Sequence, residues 1–181
     1  MHIIELVLSR HWVTDAEIDN DDAKTPSETD QVRFCRPESL LLDGVRLWSQ
    51  NPENYAYIRR RYACELGAAA AERAAKATKM LAHVIGLNAR RTFYLCHPGA
   101  MTATADERAL LALIGAVLHN RRGQGSAIAT WLLPPNCHGT VLALAGELGR
   151  AFATGGLELA PPRLPSAPKQ AIQQMPTVAF G

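Results

Sequence analysis

The hydrophobic and polar positions between residues 38 and 155 follow a helical pattern, because apolar residues recur there at steps of three and four. The segments with this pattern are 38–50, 52–88, 105–118, 126–133 and 137–154. The longest segment is interrupted by Gly67 and fits either one bent helix or two. The pattern therefore predicts an all-α fold, a compact bundle of about five helices.

Local signals mark where several of these helices begin and end. Asn51 followed by Pro52 is a favourable N-cap with proline at the first helical position. Thr104 and Glu107 have the spacing of a capping box. The stretch HNRRGQG at 119–125 predicts the end of the capped helix, and Asn136 is predicted to cap the last helix.

The two ends of the chain lack the helical pattern. Residues 1–36 form a predicted N-terminal arm, in which IIELVLSRHWV fits a short helix or strand docked on the body and the acidic stretch after it fits a linker. Residues 160–181 are rich in proline and are predicted to form a tail. The helical bundle domain is therefore assigned to residues 37–159.

Composition agrees with a helical globular domain and adds an uneven charge distribution. Hydrophobic residues make up 48% of the 181 residues and aromatic residues 6%, with alanine and leucine dominating the middle of the chain. The first thirty residues contain eight acidic and two basic side chains, net −6, whereas the whole chain is +2. Such an acidic arm either stays solvated or folds back on the basic body, where it would compete with an anionic partner.

Neither a secretory signal nor a membrane span is visible in the sequence. The longest apolar run, ALLALIGAVL at 109–118, is about half of what a membrane span needs. Four cysteines occur, Cys35, Cys64, Cys96 and Cys137, and none of them forms a C-x-x-C motif. We therefore expect a cytoplasmic protein with reduced thiols.

Six short motifs lie in order between residues 42 and 159: GVRLW (44–48), ARR (89–91), HPG (97–99), TADERALLALIGA (104–116), WLLPP (131–135) and GLEL (156–159). With them the chain resembles a group of small, functionally uncharacterised helical proteins of alphaproteobacteria. The resemblance implies an all-α fold and no particular activity. Many members carry a cysteine pair before the D-E helix, but the corresponding residues here are Ala100 and Thr102.

Two thiol–imidazole pairs, Cys96–His97 and Cys137–His138, are the candidate metal ligands. Each pair lies just before or at the start of a predicted helix, and thiolate and imidazole suit zinc or, singly, haem iron. If the two loops met at one end of the bundle, four ligands would converge. Cys137 also suits redox or nucleophilic chemistry, because a helix N-terminus lowers the pKa of a thiol. The alternative is inert thiols and loop histidines with no cofactor, which is the interpretation we favour.

Three clusters of arginine suggest a second kind of site, one that binds a polyanion such as nucleic acid. The candidate residues are Arg59, Arg60, Arg61, Arg90 and Arg91, with a further pair at 121–122, and tyrosines lie close to them in sequence. Guanidinium groups beside aromatic rings hold phosphates and stack on bases. The alternative is solvated helix ends, where cations are favoured by the helix dipole.

No complete catalytic constellation is present, and Asp106 and Glu107 are interpreted as helix-capping acids rather than as an acid–base pair. The favoured function is therefore a non-catalytic adaptor or regulatory module that binds a macromolecular partner or itself. A face containing Trp48, Trp131 or the Leu110 stripe, if left uncovered after folding, would favour homo-oligomerisation.

Overall fold

The structure is a computed structural model that describes residues 12–14 and 36–161. Its elements are β1 (Trp12–Thr14), α1 (Arg36–Gln50), a 3-10 turn (Pro52–Asn54), α2 (Tyr55–Leu66), α3 (Ala68–Asn88), β2 (Phe93–Leu95), α4 (Ala105–Leu118), α5 (Arg122–Leu132) and α6 (Pro135–Thr154). The predicted all-α class is confirmed, with six α-helices in the described part of the chain. The predicted acidic linker and most of the proline-rich tail lie outside the described residues.

Helices α3 and α6 form the centre of the bundle and pack against each other. Helices α1 and α2 cover α3, whereas α4 and α5 cover α6. The alanine-rich face of α3 is buried, and these small side chains allow neighbouring helices to approach closely. None of the helices in residues 36–161 is both long enough and apolar enough to cross a membrane.

The segment 52–88 forms two α-helices rather than one bent helix. Gly67, between α2 and α3, has a φ of 77°, a conformation that glycine adopts readily and that ends α2. The Asn51 side chain accepts a hydrogen bond from the Glu53 N–H, as predicted for an N-cap, although it caps the 3-10 turn before α2. The capping box of Thr104 and Glu107 at the start of α4 is confirmed.

The predicted end of α4, just before HNRRGQG, is confirmed at Leu118, whereas the predicted starts of the next two helices are wrong. After α4 it is Asn120, with a φ of 57°, that adopts the left-handed conformation, so the predicted glycine stop is not used and Gly123 lies inside α5. Helix α6 begins at Pro135, with Pro134 at the N-cap position, and Asn136 therefore lies within the helix rather than capping it. Proline at the first helical position has the right φ and loses no hydrogen bond, because that N–H has no partner within the helix.

A short parallel ladder joins the N-terminal arm to the bundle. β1 pairs with β2 in the register Trp12 with Phe93, Val13 with Tyr94, and Thr14 with Leu95. On the other side, β2 packs against α4. The described part of the arm, residues 12–14, is thus a strand, which is one of the two forms predicted for residues 3–13; residues 3–11 lie outside the described residues.

Tyr62 is a buried phenol at the junction of α1, α2, α3 and α6. Its hydroxyl lies 3.2 Å from the Thr78 hydroxyl, and its ring contacts Phe152 edge-on with centroids 5.5 Å apart. Burial raises the pKa of Tyr62 well above its usual value, and the hydrogen bond with Thr78 opposes that shift only in part.

The free energy of unfolding is therefore expected to fall above about pH 10, because Tyr62 ionises in the unfolded chain while it stays neutral in the folded one. Near pH 7 the wild type should be more stable than Tyr62→Phe by about 1–2 kcal/mol. This advantage should shrink by about 1.4 kcal/mol per pH unit above pH 10. Urea unfolding of both proteins between pH 8 and 11 checks the prediction. Thr78→Val keeps the phenol, so its free energy of unfolding should fall with pH above pH 10 as steeply as that of the wild type. An equally steep fall in Tyr62→Phe would contradict the prediction.

Candidate functional site at the β2–α4 loop

The β2–α4 loop (residues 96–104) connects strand β2 to the capped start of α4. Phe93 and Leu95 of β2 are buried, whereas the side chain of Tyr94 between them is 44% exposed. This alternation is what a strand with one covered face produces. The loop contains the HPG motif and the first of the predicted thiol–imidazole pairs.

Two buried carboxylates in the first turn of α4 hold the backbone of β2 and of the loop. Asp106 Oδ2 accepts a hydrogen bond from the Tyr94 N–H at 2.9 Å, and Glu107 Oε1 accepts one from the Cys96 N–H at 3.1 Å. Thr104 Oγ1 donates to the Tyr94 carbonyl at 2.7 Å. Side chains at the start of α4 therefore form the hydrogen bonds that a neighbouring strand would otherwise form with the backbone groups on one edge of β2. This role goes beyond the predicted helix capping.

Arg46 of α1 is the buried cation that faces Glu107. Its Nε donates to Glu107 Oε1 at 2.6 Å, and its Nη2 donates to Oε2 at 3.1 Å. The side chains of both residues are at most 1% exposed. Burial lowers the pKa of the Arg46 guanidinium, but the hydrogen bond and charge of Glu107 outweigh burial and leave it above its usual value. The two side chains of this ion pair are thus enclosed by the protein.

The same guanidinium also fixes the shape of the β2–α4 loop. Arg46 Nη1 donates to the Ala100 carbonyl at 3.0 Å, and Nη2 donates to the Thr102 carbonyl at 2.8 Å. These carbonyls flank Met101, whose side chain is 79% exposed. Asp43, one turn before Arg46, accepts a hydrogen bond from the Gly99 N–H at 2.9 Å. Helix α1 therefore presents Met101 to solvent on a loop whose backbone is held at three points.

Beside the loop lies an exposed aromatic surface, which we call the Trp131 surface and define as Arg91, Tyr94 and Trp131. The Arg91 guanidinium stacks 4.3 Å from the centroid of the Trp131 ring, which is itself 50% exposed. Arg91 also forms a two-pronged ion pair with Asp106. The hydrogen bond to Asp106 raises the pKa of Arg91 above its usual value, and partial burial opposes this shift.

The structure places the four predicted metal ligands in two separate segments, Cys96 and His97 in the β2–α4 loop and Cys137 and His138 in the first turn of α6. The Cys96 thiol is buried, 4.0 Å from Thr102 Oγ1, and the His97 side chain is exposed. The Cys137 thiol lies in the hydrophobic core at the start of α6, and His138 Nε2 lies 3.0 Å from the Leu133 carbonyl oxygen. Within residues 12–14 and 36–161 no group of three or more His, Cys, Asp or Glu side chains is placed to hold a metal ion. A zinc or haem site at these four residues stays a prediction.

Most of the predicted polyanion-binding arginines contact acceptors of this chain. The contacts join Arg59 to Glu72 at 3.3 Å, Arg61 to Asp43 at 3.4 Å, Arg90 Nε to the Leu133 carbonyl at 3.2 Å, and Arg91 to Asp106. Arg60 is exposed on α2. The five candidate residues lie on different elements: Arg59, Arg60 and Arg61 are on α2, and Arg90 and Arg91 are in the connection between α3 and β2.

The sequence interpretation missed Arg46 and the pairing of Arg91 with Trp131. The sequence does contain a signal that Arg46 is buried, because Arg46 follows Leu42 by four residues on a helix face whose other members are buried. A charged residue on such a face needs a buried partner of opposite charge. The stack of Arg91 on Trp131 has no such signal, since forty residues separate them and only the fold brings α5 to the start of β2.

No protein-family model, curated protein or solved structure significantly matches the chain. The resemblance to alphaproteobacterial helical proteins therefore stays a prediction, and the function is argued from the site alone.

Proposed function

We propose that this protein is a non-catalytic adaptor that binds a partner protein through the Trp131 surface and through Met101 of the β2–α4 loop. The observation that carries the proposal is an exposed set of tryptophan, tyrosine, arginine and methionine side chains presented by a buried charge network. The cytoplasmic location predicted from the sequence belongs to the same proposal.

The chemistry of these side chains supports protein binding. Tryptophan, tyrosine and arginine dominate the binding energy of protein interfaces, and methionine adapts its shape to irregular partners. Of the three features that the sequence offered for association, Trp48 and Leu110 are buried, whereas Trp131 is half exposed. Trp131 is therefore the one of these that remains available for contact.

The rigidity of the site supports the same function. Ordering a loop on binding costs free energy, so a surface whose backbone is already held binds more tightly. Arg46, Asp43 and the acids of α4 hold the β2–α4 loop and β2 in place before any partner arrives. The buried network thus acts as the support for the exposed residues.

Charge favours a protein partner over a polyanion at this surface. The guanidinium of Arg91 is neutralised by the Asp106 carboxylate, with which it forms two contacts. A phosphate would have to compete with that carboxylate for the same donors. The net result is an aromatic surface of low charge.

Trp131→Ala is expected to abolish partner capture, because the central aromatic side chain of an interface contributes about 2 kcal/mol or more, a loss of about thirtyfold in affinity. Affinity purification of the tagged full chain from its native host, with quantitative mass spectrometry, measures the loss. Tyr57→Ala is the matched control, because Tyr57 is 53% exposed and lies on α2, a helix that supplies no residue of the Trp131 surface.

Partners that remain bound to Trp131→Ala, or are lost equally in Tyr57→Ala, would refute the assignment of the surface. Light scattering on the purified chain separates a foreign partner from self-association. A monomer that retains no partner at all would refute the adaptor function.

A further inference from the structure

Strand β2 has two edges, and different parts of the chain occupy them. At the start of α4, Asp106 accepts a hydrogen bond from the Tyr94 N–H, and Thr104 donates one to the Tyr94 carbonyl. In a strand, successive residues direct their polar backbone groups to opposite edges, so those of Phe93 and Leu95 face β1. The α4 side is closed by side chains that belong to the folded core, whereas the other side is closed by the N-terminal arm.

The register fixes which groups of the arm contact β2. With Val13 opposite Tyr94 in a parallel ladder, the Val13 N–H points to the Phe93 carbonyl and the Val13 carbonyl points to the Leu95 N–H. The N–H of Thr14 points away from β2 in this register. A single residue of the arm therefore provides the central backbone contacts.

We propose that the outer edge of β2 is a docking site for an extended protein segment, and that residues 12–14 are its resident ligand, which a partner's strand displaces. A strand edge held in a fixed conformation is a template for an added strand, with backbone hydrogen bonds supplying affinity. This deepens the proposed function by naming the kind of partner, and it rests on that function only in taking the partner to be a protein.

The ladder that residues 12–14 form with β2 is short. β1 pairs over three residues, fewer than an ordinary strand, and reaches β2 from 79 residues away in the sequence. Covalent attachment keeps the arm at an effective concentration of about 1 mM, which exceeds that of a second copy of this chain at micromolar protein. An arm exchanged between two copies is thus disfavoured, whereas a foreign strand that binds the edge tightly enough to overcome this effective concentration displaces residues 12–14.

The position of β2 suits a docking strand. Phe93 and Leu95 are buried, and the backbone of β2 is fixed by the α4 carboxylates, so the edge keeps its shape when its occupant changes. Tyr94, in the middle of β2, belongs to the Trp131 surface, so a strand on this edge would lie beside the exposed aromatic side chains.

Hydrogen exchange on the wild-type full chain tests the edge without any substitution. The Leu95 amide faces β1, whereas the Tyr94 and Cys96 amides are bound by Asp106 and Glu107. If the arm detaches, protection of the Leu95 amide should be lower than that of the other two by about 100-fold. Equal protection of the three amides would overturn the proposal, because the arm would then be a fixed part of the fold.

A labelled peptide of residues 8–18 tests docking directly, using the full chain and two proline variants. Val13→Pro removes the N–H that faces β2, whereas Thr14→Pro removes one that points away and is the matched control. The peptide should bind Val13→Pro about tenfold more tightly than it binds the wild type or Thr14→Pro, because the tethered competitor is lost.

A peptide with proline at position 13 should bind none of these proteins. Failure of the peptide to bind Val13→Pro, equal binding to all three proteins, or a dimer of the wild type formed by arm exchange would each overturn the proposal. The peptide assay does not use Trp131, so its failure is distinguishable from a failure of the Trp131→Ala comparison.

Discussion

Replacing Glu107 with glutamine is expected to lower the free energy of unfolding by about 3–5 kcal/mol, because it leaves the charge of Arg46 buried without a counter-ion. Glutamine also places its amide N–H donors opposite the Arg46 guanidinium and a backbone N–H, which are themselves donors. Each carboxyl oxygen of Glu107 accepts two hydrogen bonds: Oε1 from Arg46 and the Cys96 N–H, and Oε2 from Arg46 and the Thr104 N–H. An amide nitrogen at either position cannot accept these hydrogen bonds.

Chemical denaturation of Glu107→Gln measures this loss, with Glu147→Gln as the matched control. Glu147 also pairs with an arginine, Arg150 at 2.7 Å, but both side chains are more than half exposed. The control should therefore change stability by less than about 0.5 kcal/mol. Equal effects of the two substitutions would show that burial of the Arg46–Glu107 pair contributes nothing.

The double substitution Arg46→Met with Glu107→Leu separates the ion pair from its backbone contacts. A buried ion pair is often replaced by apolar residues at no cost. Here the two side chains also satisfy the carbonyls of Ala100 and Thr102 and the N–H groups of the β2–α4 loop. The double variant should therefore regain only part of the free energy of unfolding that Glu107→Gln loses. The backbone around Met101 should no longer be held in place, and partner binding should be lost with it.

The helices could be predicted from the sequence because their signals are local. A capping box needs only Thr104 and Glu107 at the right spacing, and the break at Gly67 needs only one flexible residue in an apolar stripe. The end of α4 was predicted from an equally local signal, although the residue that adopts the left-handed conformation there was not. Asn120 and the glycines that follow are all residues that tolerate the left-handed conformation, and the pattern does not say which of them adopts it.

The site depends on contacts between residues far apart in the sequence, so only fragments of it could be predicted. Asp106 and Glu107 were recognised as capping acids, but their contacts with Arg91 and Arg46 span 15 and 61 residues. The thiol–imidazole pairs stood out as sequence motifs, whereas the structure directs His138 to a backbone carbonyl and Cys137 into the core. Residue type indicates which chemistry is available, and the tertiary packing decides which side chains meet.

Gly44→Ala is expected to destabilise the bundle by about 3 kcal/mol, because α1 crosses α2 at a point where a methyl group has no room. A Cβ on Gly44 would lie 2.0 Å from the Tyr62 hydroxyl oxygen and 2.8 Å from the ring carbon that carries it. The ring cannot move aside easily, since it is buried and is held by Thr78 and Phe152. The overlap outweighs the gain of about 1 kcal/mol that alanine brings to a helix interior.

Thermal or urea unfolding of Gly44→Ala, compared with Gly139→Ala, tests this packing. Gly139 lies in α6 with no atom within 4 Å of the position of an added Cβ, so its substitution should be neutral or stabilise by up to about 1 kcal/mol. Adding Tyr62→Phe to Gly44→Ala removes the closest overlap but leaves the ring carbon, and should recover part of the loss. Strictly additive effects of the two substitutions would mean that Gly44 of α1 and Tyr62 of α2 do not meet at this point.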